Sequence, residues 1–243
     1  MDKAIILAAG RGTRMEGLTE DRPKPMIPLR GKPMLEHILD RLREAGFSRA
    51  LLVTGYKAEM IEEHFRGYPM RIEYRRQEIV DGTARAALLG RDFAGADPFL
   101  LTYGDILTEA ADYRAMAAKM TPETEAVLSA KWVDDPWQGA AIYADETGRV
   151  SRIIEKPPIG TSTTHWNSAG AYCFRESAFV EMARVPRSPR GEYEVTSAVE
   201  QLIERGLRVL VHGLEGAWRD VGRPGDIAVA EDLLGGVKTG SGE

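Results

Sequence analysis

The sequence predicts an α/β protein built on a parallel sheet with helices on both faces. Short β-rich runs alternate with longer amphipathic runs in the first half of the chain, and this β-α-β-α order is typical of a parallel sheet. Three of the β-rich runs are so apolar that both faces of the strand are expected to be covered. The 243 residues, 43% of them hydrophobic, are enough to bury a sizeable core.

The N-terminal half supplies four strands with three helices between them. The predicted strands are KAIILA (3–8), ALLVTG (50–55), RIEYR (71–75) and PFLLTYG (98–104). The predicted helices are MLEHILDRLREAG (34–46), KAEMIEEHF (57–65) and TARAALLGRDF (83–93). The first helix places Leu35, Ile38 and Leu42 on one face and ends at Gly46, which can cap it.

After about residue 124 the strands have little helix between them, which predicts a more antiparallel, lid-like section. Its candidate strands are EAVLSAKWV, GAAIYAD, GRVSRIIEK and NSAGAYCF. The α/β pattern then returns with the helix EVTSAVEQLIERG, the strand RVLVHG and a last helix from about residue 225. We expect one domain over residues 1–234 and a disordered tail over residues 235–243.

Composition excludes several classes of function. A net charge of -5 and a pI of about 5.6 argue against nucleic acid or an anionic membrane as the main partner. No apolar run approaches the roughly 20 residues of a membrane span, and no signal peptide is recognisable, so we expect a soluble, cytoplasmic protein. Cys173 lies in an apolar run and is expected to be a buried thiol, while the four histidines are too scattered for a zinc site.

The segment AIILAAGRGTRM joins the first strand to a cationic loop that contains glycine. In a parallel α/β sheet, ligands gather beyond the carboxyl ends of the strands. Gly10 and Gly12 let backbone N–H groups approach an oxyanion closely, while Arg11, Arg14 and Lys24 supply positive charge. The loop is therefore predicted to bind phosphates, although it fits neither the dinucleotide fingerprint nor the Walker loop.

A series of motifs continues this pattern along nearly the whole chain. LAAGRGTRM is followed by RPKPMIPLRGKPMLEH, GYKAEMIEEHF, YRRQEIVDGTARAA, LLTYGDI, IIEKP, NSAGAYCF, GEYEVTSA and WRDVGRPGDI. In this order, over residues 3 to about 232, they resemble the sugar-phosphate nucleotidyltransferases, which make NDP-sugars from a nucleoside triphosphate and a sugar 1-phosphate. The resemblance implies a Rossmann-like three-layer αβα sandwich around a mixed, mainly parallel sheet, with the antiparallel section forming the sugar-side lip of the cleft.

The implied reaction brings anionic phosphates together. A Mg²⁺ ion held by one or two carboxylates can neutralise their charge. The resemblance assigns Asp105 and Asp220 to that cation. Asp105 has the alternative of a helix N-cap after a strand. Asp226 is a rival for Asp220, because RPGDI also looks like an N-cap. We favour Asp220 because it fills the acidic position of the family's Trp-x-Asp-x-Gly pattern.

Phosphate contacts are implied for three basic residues. The resemblance assigns Arg14 and Lys24 to the nucleotide phosphates and Lys156 to the phosphate of the sugar. Both lysines precede proline, which predicts an extended, restricted backbone at each. The implied nucleotide-binding set comprises Leu7, Ala8, Ala9, Gly10, Arg11, Gly12, Thr13, Gln77, Gly82 and Thr83.

The sugar-side positions of the family are matched by Gly139, Glu155, Asn167 and Glu194, whose carboxylates and amides suit sugar hydroxyls. Glu194 has the alternative of an ordinary acid in the first turn of a helix. Ser197 stands where the family often has aspartate, which leaves the local hydrogen bonding open.

The base-reading positions are matched by Gln77 and Gly82. A glutamine amide offers one donor and one acceptor, which suits uracil or thymine, whereas guanine favours a carboxylate. The amide can flip and then suits cytosine. Arg85 also stands where the family often has a small residue or glutamine. We expect UTP or dTTP.

Other functions remain open on the sequence. A cytidylyltransferase acting on an alcohol or inositol phosphate, or a sugar-1-phosphate guanylyltransferase, shares the implied metal and phosphate residues. A non-catalytic homologue that binds NDP-sugar is the alternative outside the enzymes. The identity of the sugar and the choice between monomer and homo-oligomer are not determined.

Overall fold

The computed structural model describes residues 1–235, and its strands and helices follow the predicted order closely. The strands are β1 (Lys3–Leu7), β2 (Pro28–Leu29), β3 (Lys32–Pro33), β4 (Arg49–Thr54), β5 (Arg71–Arg76), β6 (Phe99–Tyr103), β7 (Ile106–Thr108), β8 (Ala126–Trp132), β9 (Ala140–Ala144), β10 (Val150–Glu155), β11 (Trp166–Phe174), β12 (Val209–Gly213) and β13 (Trp218–Asp220). The helices are α1 (Met34–Glu44), α2 (Ala58–His64), α3 (Thr83–Leu88), α4 (Arg91–Ala94), α5 (Ala110–Ala118), α6 (Ser177–Met182), α7 (Val195–Glu204) and α8 (Asp226–Leu234).

The central sheet is mixed. β5, β4, β1 and β6 lie side by side and run parallel, and β1 is buried between β4 and β6. β11 pairs antiparallel with β6 and β8, and β12 adds to β8 in parallel. The β9–β10 hairpin pairs with the N-terminal part of β11 through Ala141 and Asn167. The predicted mixed sheet with a parallel centre is confirmed.

Helices cover both faces of this sheet because successive side chains of a strand point to opposite faces. Ile5 belongs to a core formed with α3, α4, α6 and α7. Its neighbour Ile6 belongs to a second core formed with α1, α2, α5 and α8. The strands β1, β4 and β6 are almost wholly buried, as their apolar sequences predicted. Cys173 is a free buried thiol, also as predicted.

Several features differ from the sequence expectations, and the helices α5 and α6 and the short strands β2 and β3 are among the elements that were not predicted. The single helix expected over residues 83–93 is divided into α3 and α4, with Leu89 and Gly90 at the break donating to the Ala86 and Ala87 carbonyls, three residues back. The antiparallel section expected after residue 124 is continuous with the main sheet, and Ala140 and Glu155 from its β9–β10 hairpin line the cleft. The short strands β7 and β13, which pair only with each other among the described strands, were not predicted.

Two further expectations concern the chain ends and the membrane. Gly235 ends α8, and residues 236–243 of the expected disordered tail lie outside the described residues. Within residues 1–235, no helix is long and apolar enough to span a membrane.

Candidate active site

A cleft of about 1180 Å³ opens at the carboxyl ends of β1 and β6, where Leu7 and Tyr103 line it. It brings together most of the residues singled out from sequence: Leu7, Ala8, Ala9, Gly10, Arg14, Lys24, Gln77, Gly82, Thr83, Asp105, Gly139, Glu155, Lys156, Asn167, Glu194 and Asp220. The predicted nucleotide-side and sugar-side residues therefore share one cavity.

The glycine-containing loop divides its residues between the cleft and the surface. Ala8 continues the line of β1 by donating to the Val53 carbonyl at 2.8 Å. Gly12 has a φ of 73°, and a Cβ there would lie 2.7 Å from Lys24 Cβ, so the backbone rests on the lysine stem. The Arg11 guanidinium lies 5.1 Å from the ring centroid of Tyr56. Arg11, Gly12 and Thr13 are not among the residues that line the cleft, so Arg14 is the arginine that this loop presents to it.

The backbone prediction for the two lysines is wrong. Lys24 begins a 3₁₀ helix, Lys24–Met26, and Lys156 has a left-handed φ of 43°. The preference imposed by a following proline is overridden at Lys156, whose N–H donates to the Gly139 carbonyl at 2.7 Å. Lys24 is buried, and its Nζ donates to Asp105 Oδ2.

Asp105 and Asp220 are brought together by the two-stranded sheet of β7 and β13. Asp220 pairs with Ile106 across this sheet, and the Val221 N–H donates to the Asp105 carbonyl at 3.0 Å. Burial raises the pKa of Asp220 to about 6, and the neighbouring Asp105 carboxylate acts in the same direction. The cleft thus contains two adjacent acids, one of which resists ionisation. Within residues 1–235 no group of three or more potential metal-ligating acids, histidines or cysteines occurs.

Asp226 is committed to other contacts. It is the first residue of α8, not its N-cap, which corrects the sequence interpretation. Its Oδ2 accepts the N–H groups of Gly222 at 2.9 Å and Arg223 at 2.8 Å, and Oδ1 pairs with Arg219. Burial raises the pKa of Asp226, but these hydrogen bonds outweigh burial and hold the pKa below its ordinary value.

The acids predicted to lie on the sugar side form a connected cluster. Glu155 accepts from Thr196 Oγ1 at 3.1 Å, and Arg190 donates to Glu194 at 2.6 Å and to Glu155 at 3.2 Å. Burial raises the pKa of Glu155, and the neighbouring Glu194 carboxylate raises it further. Glu194 takes the N-cap position of α7, but its side chain makes no capping hydrogen bond. The residue lines the cleft.

Arg190 was missed by the sequence reasoning, although it also lines the cleft. It stands just before the motif GEYEVTSA, and this adjacency was the available signal. Arg190 bridges Glu155 and Glu194. Because Glu155 lies far away in sequence, this bridge could be recognised only once the fold was known.

Two amide side chains in the cleft keep unused hydrogen-bonding groups. Asn167 donates from Nδ2 to the Ser168 carbonyl at 3.0 Å, while its buried Oδ1 has no partner. The buried Nε2 of Gln77 also has no partner, although the Gln77 backbone N–H donates to the Thr54 carbonyl at 2.8 Å. Buried polar groups are normally paired, so each of these atoms is suited to a ligand.

The loop before α3 and the loop before α7 meet at Gly82. Its φ is 135°, and a Cβ there would overlap with the backbone of Tyr193. Tyr193 donates its N–H to the Asp81 carbonyl at 2.9 Å and accepts from the Ala84 N–H at 2.8 Å. Arg85 does not line the cleft but covers the Tyr193 ring, with its guanidinium 4.3 Å from the centroid.

Comparison with known proteins identifies the family of the chain. The family described as Nucleotidyl transferase matches residues 3–234. The chain belongs to the nucleotidyl transferase family. The family resemblance read from the motifs is thereby confirmed.

The relatives within the nucleotidyl transferase family differ in length. The chain is 34% identical to the UTP–glucose-1-phosphate uridylyltransferase AglF of Haloferax volcanii, with 96% of each chain covered. It is 36% identical over 231 residues to the bifunctional protein GlmU of Methanococcus maripaludis, covering 94% of this chain and 53% of GlmU. The chain therefore spans about half the length of GlmU.

Solved structures share the fold. The crystal structure of a UDP-glucose pyrophosphorylase in complex with UDP-glucose aligns with a TM-score of 0.89 at 21% identity, covering 97% of this chain and 99% of that one. An apo UDP-glucose pyrophosphorylase aligns with a TM-score of 0.85 at 20% identity, covering 97% and 98%. These likenesses concern the three-layer architecture.

Proposed function

We propose that the chain joins a nucleoside triphosphate, UTP or dTTP by preference, to a sugar 1-phosphate, giving an NDP-sugar and pyrophosphate. The observation that carries the proposal is the single cleft, which is lined by the glycine loop with Arg14 and Lys24 and by Glu155, Lys156 and Glu194. A transferase needs both substrates in one cavity, since its catalytic advantage comes mainly from holding them in line.

The positively charged side chains of the cleft suit this reaction. An oxygen of the sugar phosphate forms a new bond to the α-phosphorus, while the bond from that phosphorus to the α–β bridging oxygen breaks and pyrophosphate leaves. Both reactants are anionic, so the positive charges of Arg14, Lys24 and Lys156 offset their repulsion. We assign Arg14 and Lys24 to the triphosphate and Lys156 to the sugar phosphate. Arg190, beside Glu155, is a further candidate for the sugar phosphate.

We assign Asp105 and Asp220 to Mg²⁺. Carboxylate oxygens are the ligands that this cation prefers, and two carboxylates suffice because Mg²⁺ keeps several waters. The fit rests on the pairing of β7 with β13, which brings the two acids together, and on the raised pKa of Asp220, which comes from burial and from the adjacent Asp105 carboxylate. A bound Mg²⁺ would neutralise charge on the phosphate oxygens.

Substrate identity is supported by the unpaired amide groups. The free Nε2 of Gln77 is available to a carbonyl of uracil or thymine, and Gly82 offers its backbone nearby in the cleft. The unpaired Oδ1 of Asn167 and the carboxylates of Glu155 and Glu194 are acceptors for sugar hydroxyls. Similarity to AglF over 96% of both chains makes UTP and glucose 1-phosphate the first pair to test.

The test is a matrix of ATP, CTP, GTP, UTP and dTTP against a panel of sugar 1-phosphates, inositol phosphate and an alcohol phosphate, read by pyrophosphate release. We expect release with UTP or dTTP and a sugar 1-phosphate, and none without an acceptor. Release with CTP and the non-sugar acceptors, or with GTP above all others, would replace the proposal by one of its enzymatic alternatives. No release from any pair, with NDP-sugar still bound, would indicate a non-catalytic homologue.

A further inference from the structure

We propose that Asp112, a buried carboxylate outside the cleft, is a positioning residue that holds the strand carrying Asp220 in its place. The inference rests on the proposed function, because it assigns Asp112 an effect on catalysis through Asp220. Asp112 itself does not line the cleft.

The carboxylate of Asp112 is fully engaged by hydrogen bonds. The residue belongs to α5 and is 3% exposed. Its Oδ1 accepts the Glu215 N–H at 3.0 Å and lies 3.1 Å from His212 Nε2. Its Oδ2 accepts the Gly216 N–H at 3.0 Å. Burying a carboxylate is costly unless its oxygens are paired, so the two backbone donors and the histidine together make this burial possible.

The loop that Asp112 holds leads directly into β13. Gly216 approaches the carboxylate so closely that a Cβ there would lie 2.8 Å from Asp112 Oδ2. Two residues later β13 begins at Trp218, and it ends at Asp220. Any shift of the loop is therefore transmitted along a very short segment to Asp220.

β13 is held at a small number of points, one of which is the ion pair between Arg219 and Asp226. It lies outside the main sheet and pairs only with β7 among the described strands. The Trp218 indole N–H donates to the Ala169 carbonyl at 2.8 Å. On the far side of Asp220, the carboxylate of Asp226 binds the backbone of Gly222. The strand is thus held between two carboxylates, Asp112 before it and Asp226 after it.

The test compares Asp112→Asn with Glu181→Gln. An asparagine has one acceptor oxygen, so Asp112→Asn leaves the N–H of either Glu215 or Gly216 without its partner. Glu181 is a matched control because it is also a carboxylate on a helix, 3% exposed, whose partner is Arg205. Gly216→Ala is a second variant, which displaces the loop while the carboxylate of Asp112 is kept.

The first readout is the ¹⁹F spectrum of the protein labelled with 5-fluorotryptophan. The chain has four tryptophans, and Trp218→Phe assigns the resonance next to Asp220. We expect Asp112→Asn and Gly216→Ala to shift the Trp218 resonance and leave the other three unchanged, with no change in Glu181→Gln. An unchanged Trp218 resonance in both loop variants would overturn the proposal.

The second readout is a double-mutant cycle on turnover. Asp112→Asn should lower kcat roughly 10- to 100-fold, with the KM for the triphosphate little changed. In an Asp220→Asn background the same change should cost almost nothing further, because Asp112 acts through Asp220. Independent, multiplying losses would overturn the proposal. Normal turnover of Asp220→Asn alone would contradict the assigned metal site, and the Trp218 resonance would still decide whether Asp112 positions the strand.

Discussion

At the scale of single residues, three aspartates that line the cleft differ in their hydrogen-bond partners; they are Asp105, Asp220 and Asp226. Asp226 has its oxygens engaged by the N–H groups of Gly222 and Arg223 and by Arg219, whereas Asp220 is next to another acid and carries a raised pKa. Asp105 is paired with Lys24. These surroundings distinguish the candidate metal ligands, Asp105 and Asp220, from Asp226, whose carboxylate has a structural role. The sequence around the three residues did not make this distinction.

Replacing Asp105 by asparagine should leave the fold intact and lower turnover. If Asp105 holds Mg²⁺, the loss is roughly 10²-fold or more, which corresponds to about 2.7 kcal/mol of transition-state stabilisation. The measurement is kcat at saturating Mg²⁺ together with the thermal midpoint. Near-normal turnover would remove Asp105 from the assigned site.

Replacing Asp226 by asparagine should instead reduce stability, by about 1 kcal/mol, because one accepted hydrogen bond is lost. The pKa of Asp226 is lowered in the folded protein, so its contribution is present above its unfolded pKa of about 3.9 and is lost as the pH falls further. Urea unfolding should therefore show a gap between wild type and variant at pH 6 that closes toward pH 3. Loss of turnover with unchanged stability would move the second metal ligand from Asp220 to Asp226.

The two lysines should affect different substrates. Lys156→Ala should raise the KM for the sugar phosphate and slow the chemical step, while triphosphate binding without sugar is little changed. Lys24→Ala should weaken the triphosphate, because Lys24 lies under the glycine loop against Gly12. Isothermal titration of each variant with UTP, combined with KM values, measures the division. Equal damage to both substrates from Lys156→Ala would refute it.

At the scale of elements, the loop at Gly82 connects the two ends of the cleft. The backbone of Tyr193 is hydrogen-bonded to Asp81 and Ala84, and α7 with Glu194 at its start follows at once. The N-terminus of α3 is therefore tied by backbone hydrogen bonds to the residues that lead into α7.

Gly82→Ala should consequently raise the KM for both substrates, since the new Cβ would overlap with the Tyr193 backbone and force the loops apart. Gly95→Ala is the control: Gly95 also has a positive φ, of 60°, but a Cβ there meets no atom within 4 Å. The control should lose about 1 kcal/mol of stability or somewhat more and keep both KM values. Identical KM values in wild type and Gly82→Ala would show that the contact does not shape the cleft.

The elements predicted from sequence were those whose pattern is local. Apolar runs and helical periodicity indicated β1, β4, β6 and α1, because the apolar pattern of consecutive residues shows whether one or both faces of an element are buried. β7 and β13 are three residues long and exist through their mutual pairing, which no local pattern reveals. The contact of Gly90 with Ile5, which leaves no room for a Cβ, joins residues distant in sequence and is equally invisible to a local pattern.

At the scale of the whole molecule, the mixed sheet explains the single cleft. The parallel strands β1 and β6 end at the glycine loop and Asp105, while β10 and β11 of the antiparallel section contribute Glu155 and Asn167. Their motifs could be recognised one by one from sequence. Two other features depend on residues more than 30 positions apart in the chain, and only the fold brings these residues together. They are the contact of Arg190 with Glu155 and the contact of Asp112 with the loop before β13.

The most direct test of the proposed transfer follows the oxygen atoms. Sugar 1-phosphate labelled with ¹⁸O in its phosphate is incubated with UTP or dTTP and Mg²⁺, and the products are separated and weighed by mass spectrometry. Attack by the sugar phosphate on the α-phosphorus predicts that all of the label appears in the NDP-sugar and none in pyrophosphate, with the two products formed in equal amounts. Label in the pyrophosphate, or pyrophosphate formed together with free nucleoside monophosphate, would contradict the proposed transfer.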